Sequence, residues 1–159
     1  MNQPFLFLRN IAVTTILAVS MFGLSGCAKE GCTDPTADNY DVEAKDDDGS
    51  CVPARDKFLS QYNVAESCPS GNFTYTINIV PSTTSKDGVV INNFAELGVA
   101  ISGTVSGSSL SIPNQNVTVQ GLAVSINGTG ALNGTLLIIN YTYNFAGGGE
   151  TCTKNCTKL

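Results

Sequence analysis

From residue 71 onward the apolar positions fall on alternate residues. Phe73, Tyr75, Ile77 and Ile79 alternate with Thr74, Thr76 and Asn78, the period of a strand with one buried and one wet face, and Pro81 closes the run. The same period predicts strands over 89–94, 99–105, 109–112, 117–126, 135–145 and 151–158, and with the stretch 62–68 the count reaches eight. Short connections separate them: Asp87-Gly88, Ser106-Gly107, Pro113-Asn114, Asn133-Gly134 and Gly147-Gly148-Gly149. Ahead of the strands, Phe58, Leu59 and Tyr62 stand at helical spacing, which predicts one or two helical turns within 53–61.

This is an all-β chain whose consecutive hairpins make an antiparallel up-and-down meander. A meander of that size removes its exposed edges by closing into a small barrel. Such a barrel is just wide enough to be filled by side chains or to hold one small ligand. A β-sandwich is the alternative, because alternation alone does not separate the two. Within 117–126 the apolar positions switch from odd to even at Gly121, which predicts a bulge or corner there.

The first residues follow a different rule. Arg9 precedes a run from Ile11 to Leu24 that is apolar apart from Thr14, Thr15 and Ser20, the layout of an export signal. The run is shorter than the roughly 20 apolar residues of a permanent membrane helix. Leu24-Ser25-Gly26-Cys27 then resembles the lipobox of bacterial lipoprotein signals. That resemblance implies cleavage before Cys27 and three acyl chains on it. At about 0.8 kcal/mol per buried methylene, more than one chain anchors a protein stably to a membrane. The resemblance also implies an outer-membrane destination, because Ala28 stands where an aspartate would retain the protein at the inner membrane. Lys29-Glu30 is similar to part of the surface-export signal of Bacteroidetes-type lipoproteins, which implies exposure at the cell surface. The chain thus divides into a signal peptide (1–26), a lipidated neck (27–55) and a β domain (56–159).

The neck reads GCTDPTADNYDVEAKDDDGSC from Gly31 to Cys51. It resembles a cysteine-bounded motif of secreted Bacteroidetes proteins, GCTDPxAxNYxxxAxxDDGSC, at nearly every fixed position. In an exported, oxidising setting a Cys32–Cys51 bridge would close a loop of about 20 residues, worth about 3 kcal/mol to a segment with almost no apolar residues. Asp34-Pro35 and Asp48-Gly49 are turn dipeptides near its two ends. The carboxylates invite calcium, which takes several oxygens from a flexible loop. The EF-hand template fails, since with Gly49 in sixth place the first place falls on Ala44 and the twelfth on Arg55. An irregular site using Asp41, Asp46 and Asp48 is the candidate, and a solvated acidic spacer is the alternative.

Composition narrows the chemistry. The chain has no histidine and no tryptophan, so the commonest general base and metal ligand are absent. The net charge is −5, one unit more acidic once Arg9 is removed, which disfavours nucleic acid. Beyond the neck the acids are Glu66, Asp87, Glu96 and Glu150. Most stand next to turns, and no paired-carboxylate hydrolase site is expected. Tyr141, Tyr143 and Phe145 form an aromatic stripe on alternate residues, read as core packing rather than a ligand platform. The Asn-x-Ser/Thr triplets at Asn72, Asn116, Asn127, Asn133 and Asn140 are read as chance products of a wet Asn/Thr face.

Of the remaining cysteines, Cys68 ends the first barrel strand while Cys152 and Cys156 share one face of the last. First and last strands are neighbours in a closed meander, so a bridge there would lock the seam and leave one thiol free. Cys152, Lys154 and Cys156 lack a further soft ligand for a metal. A nucleophilic Cys156 would have only Lys154 or Lys158 near it in sequence. The order of a short helix, Phe58-Leu59-x-x-Tyr62, an antiparallel meander and a cysteine near each end resembles the lipocalin-like lipoproteins of the same bacteria. Ser60-Gln61-Tyr62 stands where lipocalins favour Gly-x-Trp. That resemblance implies the pairing Cys68–Cys152. The expected function is a non-catalytic surface module that binds a small apolar ligand or a macromolecule. The alternative is a structural envelope lipoprotein with a filled barrel, acting through protein contacts.

Overall fold

A computed structural model of the chain describes residues 28–159; the expected signal peptide (1–26) and Cys27 lie outside the described residues. The neck contains two short strands, β1 (Glu30–Gly31) and β2 (Asp46–Asp47), paired in parallel. The Cys32–Cys51 disulfide closes the loop over a separation of 19 residues, with Cys32 buried. Asn39 clamps the loop's two sides, its Nδ2 donating to the Ser50 carbonyl at 2.8 Å and its Oδ1 accepting from the Val52 N–H at 2.8 Å.

A 3-10 helix, Ala54–Phe58, leads into the barrel and contributes the buried Ala54 and Phe58 to its core. Eight strands follow: β3 (Ser60–Cys68), β4 (Gly71–Pro81), β5 (Gly88–Phe94), β6 (Val99–Ser106), β7 (Ser109–Val119), β8 (Leu122–Asn133), β9 (Leu136–Phe145) and β10 (Gly148–Lys158). Each pairs antiparallel with the next, and β10 pairs with β3 from Thr153↔Ser67 to Lys158↔Tyr62. The sheet is therefore a closed barrel and not a sandwich. Closure leaves neither β3 nor β10 with an unpaired edge, the expected solution for a meander of this size.

The strand count agrees with the hydrophobic pattern, but two boundaries do not. Pro113-Asn114 is not a hairpin turn. β7 runs through it, with a register shift between Ile112 and Gln115. Proline has no N–H to offer a ladder and is tolerated where an extra residue is left unpaired. Gln115 repairs the gap towards β6: its Oε1 accepts from the Ser102 N–H at 2.9 Å and its Nε2 donates to the Ser102 carbonyl at 2.8 Å. The bulge moves the inward positions from Leu110 and Ile112 to Val117 and Val119.

The chain reverses instead at Gln120-Gly121, both left-handed with φ of 50° and 85°. That is the backbone a two-residue hairpin turn requires, so the switch of apolar positions at Gly121 marks a strand exchange rather than a corner. β8 then continues to Asn133, and its apolar alternation lapses after Ile126 because the next two inward positions, before Leu132, are Gly128 and Gly130. A Cβ on Gly128 would lie 2.6 Å from the Asn140 carbonyl oxygen and 2.7 Å from the Tyr141 Cβ. Glycine lets β9 pass this close.

Successive turns alternate between the two ends of the barrel. The base carries the 3-10 helix, the β4–β5 loop and the C-terminus. Phe58, Tyr62, Ile77, Ile79, Ile91 and Leu137 fill it, and the Tyr62 hydroxyl donates to the Phe58 carbonyl at 2.9 Å. Arg55 gathers the loop, its Nη1 donating to the carbonyls of Ser82, Ser85 and Gly88. The neck docks on this same end: Ala37 bridges Pro53, Lys86 Nζ lies 2.6 Å from Asp34 Oδ2, and Lys57 pairs with Asp38.

Candidate functional site

The opposite end of the barrel is a cup of about 750 Å³. Its walls come from the β3–β4, β5–β6 and β7–β8 connections and from the mouth end of β9. Phe73, Leu97, Leu122 and Phe145, each about two-fifths exposed, ring the opening. Tyr143 stacks between its neighbours in the stripe, 6.3 Å from Tyr141 and 6.2 Å from Phe145 between ring centroids. The whole aromatic stripe lines the cup, but its burial is graded: Tyr141 is part of the core, Tyr143 packs against that core, and Phe145 is exposed at the rim. Period two puts all three on one face, and the position of the mouth sets how deep each one lies.

The β5–β6 loop that shapes one side of the rim is held in costly backbone. Asn93, Ala95 and Glu96 all have φ between 55° and 57° without being glycine. Left-handed non-glycine residues persist only where their surroundings over-determine them. Here the Asn93 Nδ2 donates to the Thr76 carbonyl at 2.8 Å, tying the loop to β4. Ala95 and Glu96 line the cup as a result.

Beneath the cup lies a buried ion pair that no single stretch of sequence announces. Glu66 and Lys154 are direct cross-strand partners in the β3–β10 ladder, and both side chains point inward. Lys154 Nζ donates to Glu66 Oε1 and, at 2.6 Å, to the Tyr75 hydroxyl. Tyr75 donates to Glu66 Oε2 at 2.8 Å, and Tyr141 donates to Glu66 Oε1. The ammonium also sits 4.0 Å from the ring centroid of Tyr141 and 4.4 Å from that of Phe94, a cation–π setting. Burial lowers the Lys154 ammonium to about 8 despite the support of Glu66. The same burial, followed by the bonds to Glu66, pushes the Tyr75 and Tyr141 phenols far above their ordinary value. These phenols stay protonated and act as donors.

Glu66 therefore does not belong with the acids beside turns. The clue was its place two residues after Val64 and four after Tyr62, on the inward parity of β3, facing the inward Cys152-x-Lys154-x-Cys156 of β10. Two opposite charges at inward positions on the first and last strands of a closed meander must meet, since neither tolerates burial alone.

Among the described residues the cysteines pair as Cys32–Cys51 and Cys68–Cys152, leaving Cys156 free and buried. The second bridge sits in the wall of the cup, where Cys68 is a lining residue. Glu66, Cys68 and Cys152 offer ligand atoms within 4.8 Å of one another, but both sulfurs are bonded to each other and coordinate nothing. Burial pushes the Cys156 thiol up to about 12 from an ordinary value of 9.0. A raised acid of this kind contributes stability below pH 9 and loses it as the pH climbs towards 12. At mildly alkaline pH native protein should take up no iodoacetamide in the time that fully labels the unfolded chain, read by intact mass; rapid labelling of the native form would contradict the buried thiol.

Asp41, Asp46 and Asp48 are not brought together into an oxygen cage among the described residues. Asp41 is ion-paired to Lys29 at 2.8 Å and accepts from the Glu43 N–H, while Asp48 Oδ1 accepts from the Ser50 N–H at 2.9 Å. Asp46 lies in β2 with its side chain exposed. Turn capping and a lysine partner engage oxygens of Asp41 and Asp48, and calcium at Asp41, Asp46 and Asp48 stays an expectation of the sequence.

Compared with known proteins, the chain matches no family model, no curated protein and no solved structure.

Proposed function

We propose that the chain is a membrane-anchored lipoprotein of the cell envelope whose barrel binds a small apolar ligand in its mouth and performs no catalysis. The observation that carries this reading is the cup: about 750 Å³, within the range of about 300–1,000 Å³ of small-molecule sites, with apolar and aromatic walls and few polar groups. The strained β5–β6 loop supports it, because backbone strain of this kind concentrates at binding sites. The floor supports the absence of catalysis, since its phenols and its ammonium are already engaged with Glu66 and with one another.

The anchor reading rests on Leu24-Ser25-Gly26-Cys27 and is tested on the full chain. Replacing Cys27 with serine should abolish acyl labelling and membrane retention, and normal labelling would end that part of the proposal. The neck docks at the base, so a lipid on Cys27 would leave the mouth turned away from that membrane and open to solutes.

Binding is tested with Nile red, a neutral apolar dye. We expect saturable, one-to-one enhancement of its fluorescence, lost in Val119→Trp, whose indole would occupy the cup while the melting temperature stays near that of the parent. Absence of saturable binding would overturn the ligand reading. It would favour the alternative that the exposed Phe73, Leu97, Leu122 and Phe145 ring is a protein-contact surface of a structural envelope lipoprotein.

A further inference from the structure

The floor of the cup has a polarity that the walls do not reveal. We propose that the cup selects apolar molecules whose buried end is a hydrogen-bond donor, an amine above all, and rejects fatty carboxylates, with Glu66 as the residue that reads the head group. The inference rests on the ligand-binding reading above and assigns that ligand its chemical class.

Both phenolic hydrogens on the floor and two of the three ammonium hydrogens of Lys154 are already directed at oxygen partners, and the ammonium is otherwise flanked by the Phe94 and Tyr141 rings. The Tyr141 hydroxyl donates to Glu66 Oε1 and the Tyr75 hydroxyl to Glu66 Oε2, while Lys154 donates to Glu66 and to Tyr75. Lys154 is fully buried, packed between the Phe94 and Tyr141 rings, and is not among the cup's lining residues. An arriving carboxylate would find no free donor there.

Acceptors are counted the other way. A carboxylate offers about four lone-pair positions. Glu66 uses two on Oε1 and one on Oε2, so one position remains on Oε2. Glu66 itself lines the cup. A donor group lowered to the floor completes the shell of Glu66, whereas an acceptor group is left unsatisfied in a site from which its water has been removed.

Charge points the same way. The charged side chains that line the cup are Glu66 and Glu96, with no lysine or arginine. Glu150 adds a third carboxylate at the rim, bonded to the lining residue Ser70 at 2.8 Å. An ammonium is therefore favoured over a neutral hydroxyl, and a hydroxyl over a carboxylate.

The test displaces bound Nile red from the full-length protein with dodecylamine, dodecanol and dodecanoate, each kept below its micellar range, so that chain length is constant and only the head group varies. We expect dodecylamine to compete at least about tenfold more tightly than dodecanoate, with dodecanol between them. Glu66→Gln alone strands the Lys154 charge and endangers folding, so the informative variant is Glu66→Gln with Lys154→Met. Its ratio of dodecylamine to dodecanoate affinity, each measured against Nile red bound to that same variant, should fall to near unity. Glu96→Gln, at the exposed rim, should keep most of that preference. Dodecanoate matching or exceeding the amine while Nile red binds saturably would overturn the head-group assignment and leave the binding site standing. An amine preference that survives the double variant would overturn the role of Glu66. Failure of Nile red itself to bind would remove the site and this inference together.

Discussion

Glu66→Gln or Lys154→Met made singly should lower the stability of the barrel by about 3–5 kcal/mol, whereas both together should leave it close to the parent. The side chains are 3% and 0% exposed, so removing one partner strands the other where water cannot reach it. The double change removes the charges and keeps the geometry. The glutamine oxygen still accepts from Tyr141, and its amide can donate to the Tyr75 oxygen that Lys154 vacates. The methionine fills the lysine's volume between the Phe94 and Tyr141 rings. Thermal melts decide it: each single variant should melt at least about 12 °C lower, and the double variant should recover most of that loss. Additive losses would mean that the two residues do not act as a pair.

Opening the Cys68–Cys152 bridge is expected to have an effect of the same order. The bridge joins the last residue of β3 to β10 across 84 residues of sequence, so it restricts nearly the whole barrel in the unfolded chain. A loop of that length corresponds to about 4.5 kcal/mol in the chain-entropy account. The paired change Cys68→Ser and Cys152→Ser should lower the cooperative melt accordingly, while retaining a β-type circular dichroism spectrum at low temperature because the core below the bridge is untouched. Cys32→Ser with Cys51→Ser gives the contrast. That bridge closes only the neck, which meets the barrel through exposed ion pairs such as Lys86–Asp34 that contribute little. The barrel melt should hardly move. Equal losses from both pairs would refute the modular division of neck and barrel.

Much of this architecture is legible along the chain. Alternation of apolar and polar residues is a local property, and it marks Phe73 to Ile79 or Leu137 to Tyr143 as strands without reference to any partner. Glycine-bearing turns mark most reversals, because left-handed backbone restricts which residues can stand there. Where the local signal fails it fails for a physical reason. Pro113-Asn114 has turn chemistry, yet the fold uses it as a bulge, because Gln115 supplies the ladder bonds that proline cannot. Residues 127–131 lack apolar alternation because close approach of β9, not burial of large side chains, selects Gly128 and Gly130. The two departures cancel in the count of strands, so agreement on eight conceals a misplaced hairpin.

Local pattern therefore settles the class of structure and the outward and inward faces of most strands. It cannot settle which inward residues meet. Glu66 and Lys154 stand 88 residues apart and become neighbours only when β10 closes onto β3. The mouth likewise exists only because successive turns gather at one end, where Phe73, Leu97, Leu122 and Phe145 come from four different strands or loops. Burial and charge neutralisation act between segments and not along them, and it is the closed barrel that turns a scatter of acids, phenols and one lysine into a floor with a direction.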